Sequence, residues 1–253
     1  MIRFRSWSVT HQGAIRDHNE DAFVDRPEIG LWAVADGAGG HQAGEVASAM
    51  IKQELERIPP GLAAGETIGR VRQAIAGSHD ALIAEAARRG PGTMIASTVA
   101  VLLAHQEYFA CLWAGDSRIY LMRDGALHQL TRDHSLVQDM VDAGVVRPED
   151  AEGHPRANVI TRAVGADGDP PELEKVTDRI LPGDRFLLCS DGLFKALPAQ
   201  DVAALMDRSE ASPAQALIDA ALRARATDNV TAVAVEAVEA VEAVDGWHGD
   251  DAD

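Results

Sequence analysis

Four aspartates stand at the ends of apolar runs: Asp36 after Leu31-Trp-Ala-Val-Ala35, Asp116 after Tyr108–Gly115, Asp191 after Phe186-Leu-Leu-Cys-Ser190, and Asp228 just ahead of Val230-Thr-Ala-Val233. Such runs read as buried strands, and strand ends on one edge of a sheet can converge in space. Carboxylates brought together repel unless protons or a cation lie between them. Two of the four are followed by glycine, in Asp36-Gly37 and Asp191-Gly192. In the first pair the glycine is expected to turn the backbone so that its carbonyl points where the carboxylate points. Taken singly, an Asp-Gly pair is an ordinary turn; its recurrence at strand ends favours a shared site. No pair of His or Cys shows zinc spacing, the nine histidines being scattered, so the ligands would be oxygen only and the ion Mg²⁺ or Mn²⁺. Two such ions a few ångströms apart can hold a bridging hydroxide for in-line attack on phosphorus. A phosphate also needs a fork-shaped cation, for which Arg16, close to Asp21 in sequence, is the candidate.

Other chemistries lack their signatures. Gly37-Ala-Gly39-Gly-His-Gln42 misses the third glycine of a dinucleotide fingerprint, no Lys-Ser/Thr follows as in a phosphate-binding loop, and there is no Gly-x-Ser-x-Gly nucleophile elbow. The 253 residues carry 40 Asp and Glu against 23 Lys and Arg, a net charge of −17, which argues against nucleic acid or an anionic membrane as partner and against a nuclease reading. Cys111 and Cys189 each lie inside an apolar run and read as reduced core residues of a cytoplasmic protein. The N-terminus, Met1-Ile-Arg-Phe-Arg-Ser-Trp7, has no signal-peptide core. Nowhere do about 18 apolar residues run together, so no membrane span is expected.

The elements that must position these residues follow from periodicity. Short strands are expected at 6–9 and 22–24, around the charged stretch Arg16-Asp-His-Asn-Glu-Asp21, and at 31–35. Ala47, Met50, Ile51, Leu55 and Ile58 fall at helical spacing up to Pro59-Pro60, and a second helix spans about 66–89 before Gly90-Pro91-Gly92. From Ser97 to Leu130 the pattern predicts an antiparallel meander of four strands, with Asp124-Gly125 as a hairpin turn. Residues 131–170 are irregular, with a short helix near Ser135–Ala143 ending at Gly144. A strand at Arg185–Ser190 repeats the opening strand-Asp-Gly pattern. Helices near Ala199–Met206 and from the N-cap Ser212 with Pro213 come next, and the last strand is Val230–Val235. The class is α+β, with helices covering antiparallel sheets; periodicity alone leaves the layer count open.

Arg16-x-x-Asn19-Glu20-Asp21, Val34-Ala-Asp36-Gly-Ala-Gly-Gly-His41, Ser97-Thr98-Val99, Gly115-Asp116-Ser117-Arg118, Leu130-Thr-Arg-Asp133-His134-Ser135, Thr161-Arg162-Ala-Val-Gly165, Cys189-Ser-Asp191-Gly192 and Asp228-Asn229-Val230-Thr231 occur in this order. Together, from about residue 8 to 235, they resemble the motif series of the metal-dependent PPM/PP2C protein serine/threonine phosphatases. The resemblance implies an antiparallel β-sandwich flanked by helices on both outer faces, with Mn²⁺ or Mg²⁺, two core ions and a third in bacterial members, in a cleft at one end. By position it implies that Asp36 bridges the core metals and the Gly37 carbonyl binds one of them. Asp191 and Asp228 would hold the first metal, Glu20 or Asp21 would act through water, Asp116 with Asp191 would hold the third, and Arg16 would bind substrate phosphate. Residues about 135–160 match a flap beside the cleft.

The implied activity is hydrolysis of phosphoserine and phosphothreonine by metal-held hydroxide, opposing a bacterial Ser/Thr kinase, in a cytoplasmic and monomeric protein. The Leu31–Gly44 stretch also resembles the phosphatases that accompany type VI secretion kinases. The rival is a non-catalytic phosphoprotein-binding module on the same fold, whose usual mark is a lost metal carboxylate; here every one is present. Two positions depart from the pattern. Ala38 stands where relatives carry His or Met, which leaves the leaving-group acid unassigned, with His41 a weak candidate; Ala96 stands where glycine is usual.

The phosphatase domain is expected over 1–238. An acidic tail follows over 239–253, entered through the Glu-Ala-Val triplets, and its composition predicts disorder. Deleting 240–253 should leave hydrolysis of a small phosphate ester unchanged, as a chromogenic assay would show; a large loss of activity would refute the disorder expectation.

Overall fold

The computed structural model describes residues 2–39, 43–166, 168–207 and 212–239. Two antiparallel sheets stack face to face. One has the order β1 (Ile2–His11), β11 (Val230–Glu239), β10 (Arg185–Cys189), β7 (Arg118–Arg123), β8 (Ala126–Gln129). The other runs β2 (Asp21–Arg26), β3 (Leu31–Ala38), β5 (Val99–His105), β6 (Tyr108–Ala114), β9 (Glu174–Arg179), and the two-residue β4 (Ala96–Ser97) pairs with the end of β3.

Strand alternation decides what each face buries. On β3, Trp32 and Val34 point between the sheets, where they meet Phe109, Cys111, Phe186, Leu188 and Val233, while Ala33 and Ala35 point outward. Helices α1 (Ala43–Glu56) and α2 (Ala64–Arg89) cover that outer face through Ala47, Ile51, Leu55, Val71, Ile75 and Leu82. On the opposite side α4 (Asp191–Ala196), α5 (Ala199–Asp207) and α6 (Pro213–Arg223) cover the first sheet through Leu193, Val202, Met206, Leu217 and Ile218. The result is the expected α+β sandwich with helices on both outer faces, and sheets buried on both sides explain why several strands read as continuous apolar runs.

Local signals hold at the caps and turns. Ser212 accepts the Gln215 amide at 3.2 Å with Pro213 in the first turn, and Asp124 and Gly125 take positive φ as a tight hairpin requires. Ser135 caps α3 (Leu136–Asp142) by accepting the Gln138 amide. The 135–160 segment closes on itself at an isolated bridge between Ser135 and Ile160.

Four expectations need correction. The stretch 97–130 is not one meander: β5 and β6 pair in one sheet, β7 and β8 in the other, and the chain crosses at Gly115–Ser117. Alternation cannot tell the two cases apart, because Trp113 before the crossing and Ile119 after it both point into the inter-sheet layer. Strand β9 escapes periodicity since Glu174-Lys-Val-Thr-Asp-Arg179 is a polar edge strand. The first, second and last strands are longer than expected, β11 running through the first Glu-Ala-Val triplet to Glu239 because it pairs with β1 along its whole length. Finally, Asp191 opens helix α4, a short helix that the periodicity did not mark. Cys111 and Cys189 are free and buried, as read from their apolar runs. The tail beyond Glu239 lies outside the described residues.

Candidate active site

Strands β2 and β3 set Asp21 directly opposite Asp36 in the ladder. Asp36 shares the inter-sheet side of β3 with Trp32 and Val34, so both carboxyls emerge at the end of the sandwich, between the sheets. Like charges facing each other across a strand pair destabilise it. The opposing sheet answers with hydroxyls: Ser190 and Thr231 both donate to Asp21 Oδ2, at 2.6 and 2.7 Å. Thr98 fixes the neighbouring backbone, accepting the Asp36 amide at 3.0 Å and donating its own amide to the Asp36 carbonyl at 2.9 Å. Asn229 pins the Arg16–Asp21 connection, accepting the Glu20 amide at 2.8 Å and donating to the carbonyls of Gln12 and His18.

Both Asp-Gly pairs need glycine, for a reason other than turning. β3 continues through Gly37, whose amide donates to the Glu20 carbonyl at 3.1 Å. A Cβ on Gly37 would lie 2.0 Å from the Gly44 carbonyl oxygen, and one on Gly192 would lie 2.0 Å from that of Asn229. The requirement is close approach of a second backbone segment.

Electrostatics show that the carboxylates have converged. Burial pushes Asp36 well above the usual carboxylate range, and the charges of Asp21, Asp191, Asp116 and Asp228 add to it. Asp36 nonetheless keeps part of its surface open to the cleft. Asp21 is pushed up to about 7 by burial against the opposing pull of the Ser190 and Thr231 hydroxyls, with Asp191 and Asp228 raising it further. Asp116 also reaches about 7, through burial and then Asp191 and Asp133. Two cations touch the cluster: Arg16 Nη2 lies 2.9 Å from Asp228 Oδ2, and Lys195 pairs with Asp191 one helical turn away. The Asp228 contact raises the Arg16 pKa, with Glu20 and Asp191 adding their fields.

The acidic residues and the arginine singled out in the sequence therefore gather at one end of the sandwich. Asp21, Asp36, Asp116, Asp191 and Asp228 share one field. Glu20 lies against Gly44, beside Gly37. Arg16 stands at the rim with about half its side chain exposed. Among the described residues no three acidic, His or Cys groups already close on a common point, since Asp228 is turned to Arg16, Asp191 to Lys195 and Asp21 to the hydroxyls. His41 lies outside the described residues. Sequence reasoning gave no task to Ser190, Thr231, Asn229 and Lys195. The legible signal for the first two was a hydroxyl at an inward position of an otherwise apolar strand end.

A sequence profile of the family described as Protein phosphatase 2C matches residues 11–224. The serine/threonine protein phosphatase PstP of Mycobacterium tuberculosis is 34% identical over 226 residues, covering 89% of this chain and 43% of that protein, so the chain spans less than half of this relative's length. Among solved structures, PppA, described as a key regulatory component of T6SS in Pseudomonas aeruginosa, superposes with a TM-score of 0.85 at 41% identity, over 93% of this chain and 98% of that one. The PstP catalytic domain in complex with two manganese ions superposes with a TM-score of 0.81 at 32% identity, over 94% and 100%. The chain belongs to the protein phosphatase 2C family.

The residues present fit the divalent cations that this family implies. Asp21 Oδ1 and Asp116 Oδ1 are buried without a hydrogen-bond partner, an expensive state for a carboxylate unless a cation or proton completes it. The raised pKa values fix a sign. Unfolded, these aspartates titrate near 3.9; folded and metal-free, they hold protons up to about 7. Their contribution to metal-free stability is thus fully present below the unfolded value and is lost as pH rises through 7. The melting temperature of EDTA-treated protein should fall between about pH 4 and about pH 7 and level off above, and the gain from Mn²⁺ should widen over the same interval. A gain independent of pH, measured by scanning calorimetry, would contradict this assignment.

Proposed function

We propose that the protein is a metal-dependent phosphatase that hydrolyses phosphoserine and phosphothreonine in proteins. The observation that carries this reading is the convergence of five mutually repelling aspartates at the end of the sandwich, two of them buried with unpartnered oxygens. Asp36, Asp191, Asp228 and the Gly37 carbonyl would hold two divalent cations, Mn²⁺ or Mg²⁺. Asp116 with Asp191 would hold a third, and Glu20 and Asp21 would stand behind them. When bound, the ions supply a water acidic enough to attack phosphorus near neutral pH and neutralise charge on the phosphoryl oxygens. The manganese complex of the related PstP catalytic domain supports the choice of metal.

Arg16 is the group that takes the phosphate. It leans on Asp228 from an exposed rim position, and moving its guanidinium from Asp228 to a phosphoryl dianion frees that carboxylate while forming charge-assisted bonds to the substrate. Ala38 offers no proton to the serine or threonine leaving group. A cavity of about 350 Å³ lined by Ala38, Met94, Asn158 and Arg162 lies between β3 and the foot of the 135–160 segment. It gives room for a substrate side chain beside the phosphorylated residue and supports a role for that segment in substrate choice.

The partner on this reading is a bacterial Ser/Thr kinase and its phosphorylated substrates, with the phosphatase acting as a cytoplasmic monomer. Among the described residues no helix is long and apolar enough to cross a membrane. The 41% identity to PppA supports a finer role opposite the kinase of a type VI secretion system, which the neighbouring genes would test. Phosphate release from a phosphothreonine peptide should require Mn²⁺ and stop with EDTA. It should fall about a hundredfold or more in Asp191→Asn, while Arg16→Ala raises KM about tenfold. No turnover by folded, metal-loaded protein would favour the phosphoprotein-binding module.

A further inference from the structure

The proposed function gives no task to His134, a buried residue of the Leu130–Ser135 stretch. Its backbone amide donates to the Gly115 carbonyl at 3.0 Å, and its ring Nδ1 accepts the Gly115 amide at 3.1 Å. One residue thus satisfies both backbone groups of the glycine that precedes Asp116. The His134 carbonyl in turn accepts the Thr161 amide at 2.8 Å, and the next residue, Ser135, bridges Ile160. Both feet of the 135–160 segment are therefore attached at this point.

The ring is held on its other sides as well. It stacks on Trp113, with centroids 6.1 Å apart and planes 11° from parallel, and Trp113 Nε1 donates to the Arg132 carbonyl at 2.8 Å. Nε2 lies 3.0 Å from Glu174 Oε1 on β9, close but without the alignment of a full hydrogen bond. The same carboxylate oxygen is 3.4 Å from Arg162, just past the second foot. Because Nδ1 accepts an N–H, it carries no proton, and the ring hydrogen sits on Nε2, toward Glu174. A residue that only filled space would need the ring and none of these polar directions.

We infer that His134 is a positioning residue that joins the Asp116 corner to both feet of the 135–160 segment, so that a carboxylate of the site and the segment beside the cleft are held in register. The kinetic part of this inference rests on the phosphatase reading; the tether does not.

Two substitutions separate the tether from packing. His134→Phe keeps the ring and its stacking on Trp113 but loses the acceptor, whereas His134→Asn keeps an acceptor near the Nδ1 position and loses the ring. In His134→Phe, amide exchange at Gly115 and Thr161, followed by NMR, should speed up about tenfold or more. The Mn²⁺ concentration for half-maximal activity should rise several-fold and kcat fall about tenfold, with KM for p-nitrophenyl phosphate within about twofold. His134→Asn should recover most of the Gly115 protection and of the Mn²⁺ midpoint. Wild-type exchange and metal dependence in His134→Phe would overturn the inference, as would equal impairment of both variants in proportion to their lost thermal stability. Should His134→Phe not fold, His134→Asn is compared with His134→Gln, whose amide reaches the Nε2 position; the inference requires the Asn variant to be the better one. Should the wild-type protein lack turnover, the phosphatase reading fails, while exchange and calorimetric Mn²⁺ titration still read the tether.

Discussion

The arrangement turns on Asp21 and Asp36, two carboxyls set opposite each other in a strand pair and pushed between two sheets. Neither can ionise there without help, and much of the surrounding structure is that help. Ser190 and Thr231 reach across from the other sheet to one oxygen of Asp21. These bonds also join the sheets at the cleft end, where apolar packing gives out. Gly37 and Gly192 allow the backbones of α1 and of Asn229, just ahead of β11, to come within a distance that any side chain would block. What the protein atoms leave undone is the second oxygen of Asp21 and one oxygen of Asp116, and a divalent cation is the group that completes such a set.

The outer carboxylates also have partners within the chain. Asp228 takes Arg16 and Asp191 takes Lys195, both near the rim and partly open to solvent. The inner members have no such cation beside them, and burial raises their pKa. The site is thus graded from a rim of exchangeable ion pairs to a floor of fixed hydrogen bonds. That gradient suits the proposed function, in which Arg16 leaves Asp228 for substrate phosphate while Asp21 and Asp36 stay in place.

Much of this was legible in the sequence. The strand-end aspartates, the helix cap at Ser212 and the Asp124-Gly125 hairpin each follow from a local rule that the structure obeys. The gathering of Asp116 with Asp191 and Asp228 needed the order of eight motifs, since no spacing rule predicts which strand ends share an edge. What escaped was non-local. The passage from one sheet to the other at Gly115 is invisible to alternation when both sheets are buried on both faces, and β9 is polar because it is an edge. The reason for glycine after Asp36 and Asp191 lay in segments that approach from elsewhere in the chain. So did the tasks of Asn229 and His134, which are defined by the backbone groups they satisfy and not by their sequence neighbours.

The position of bound cations is the most direct test of the site. Anomalous diffraction from crystals grown with Mn²⁺ near neutral pH reads this directly. Two strong peaks between Asp36, Asp191, Asp228 and the Gly37 carbonyl, with Asp228 turned away from Arg16, are the predicted result. Density showing Asp36 and Asp21 hydrogen-bonded to each other in metal-soaked crystals, with manganese bound elsewhere or not at all, would contradict it.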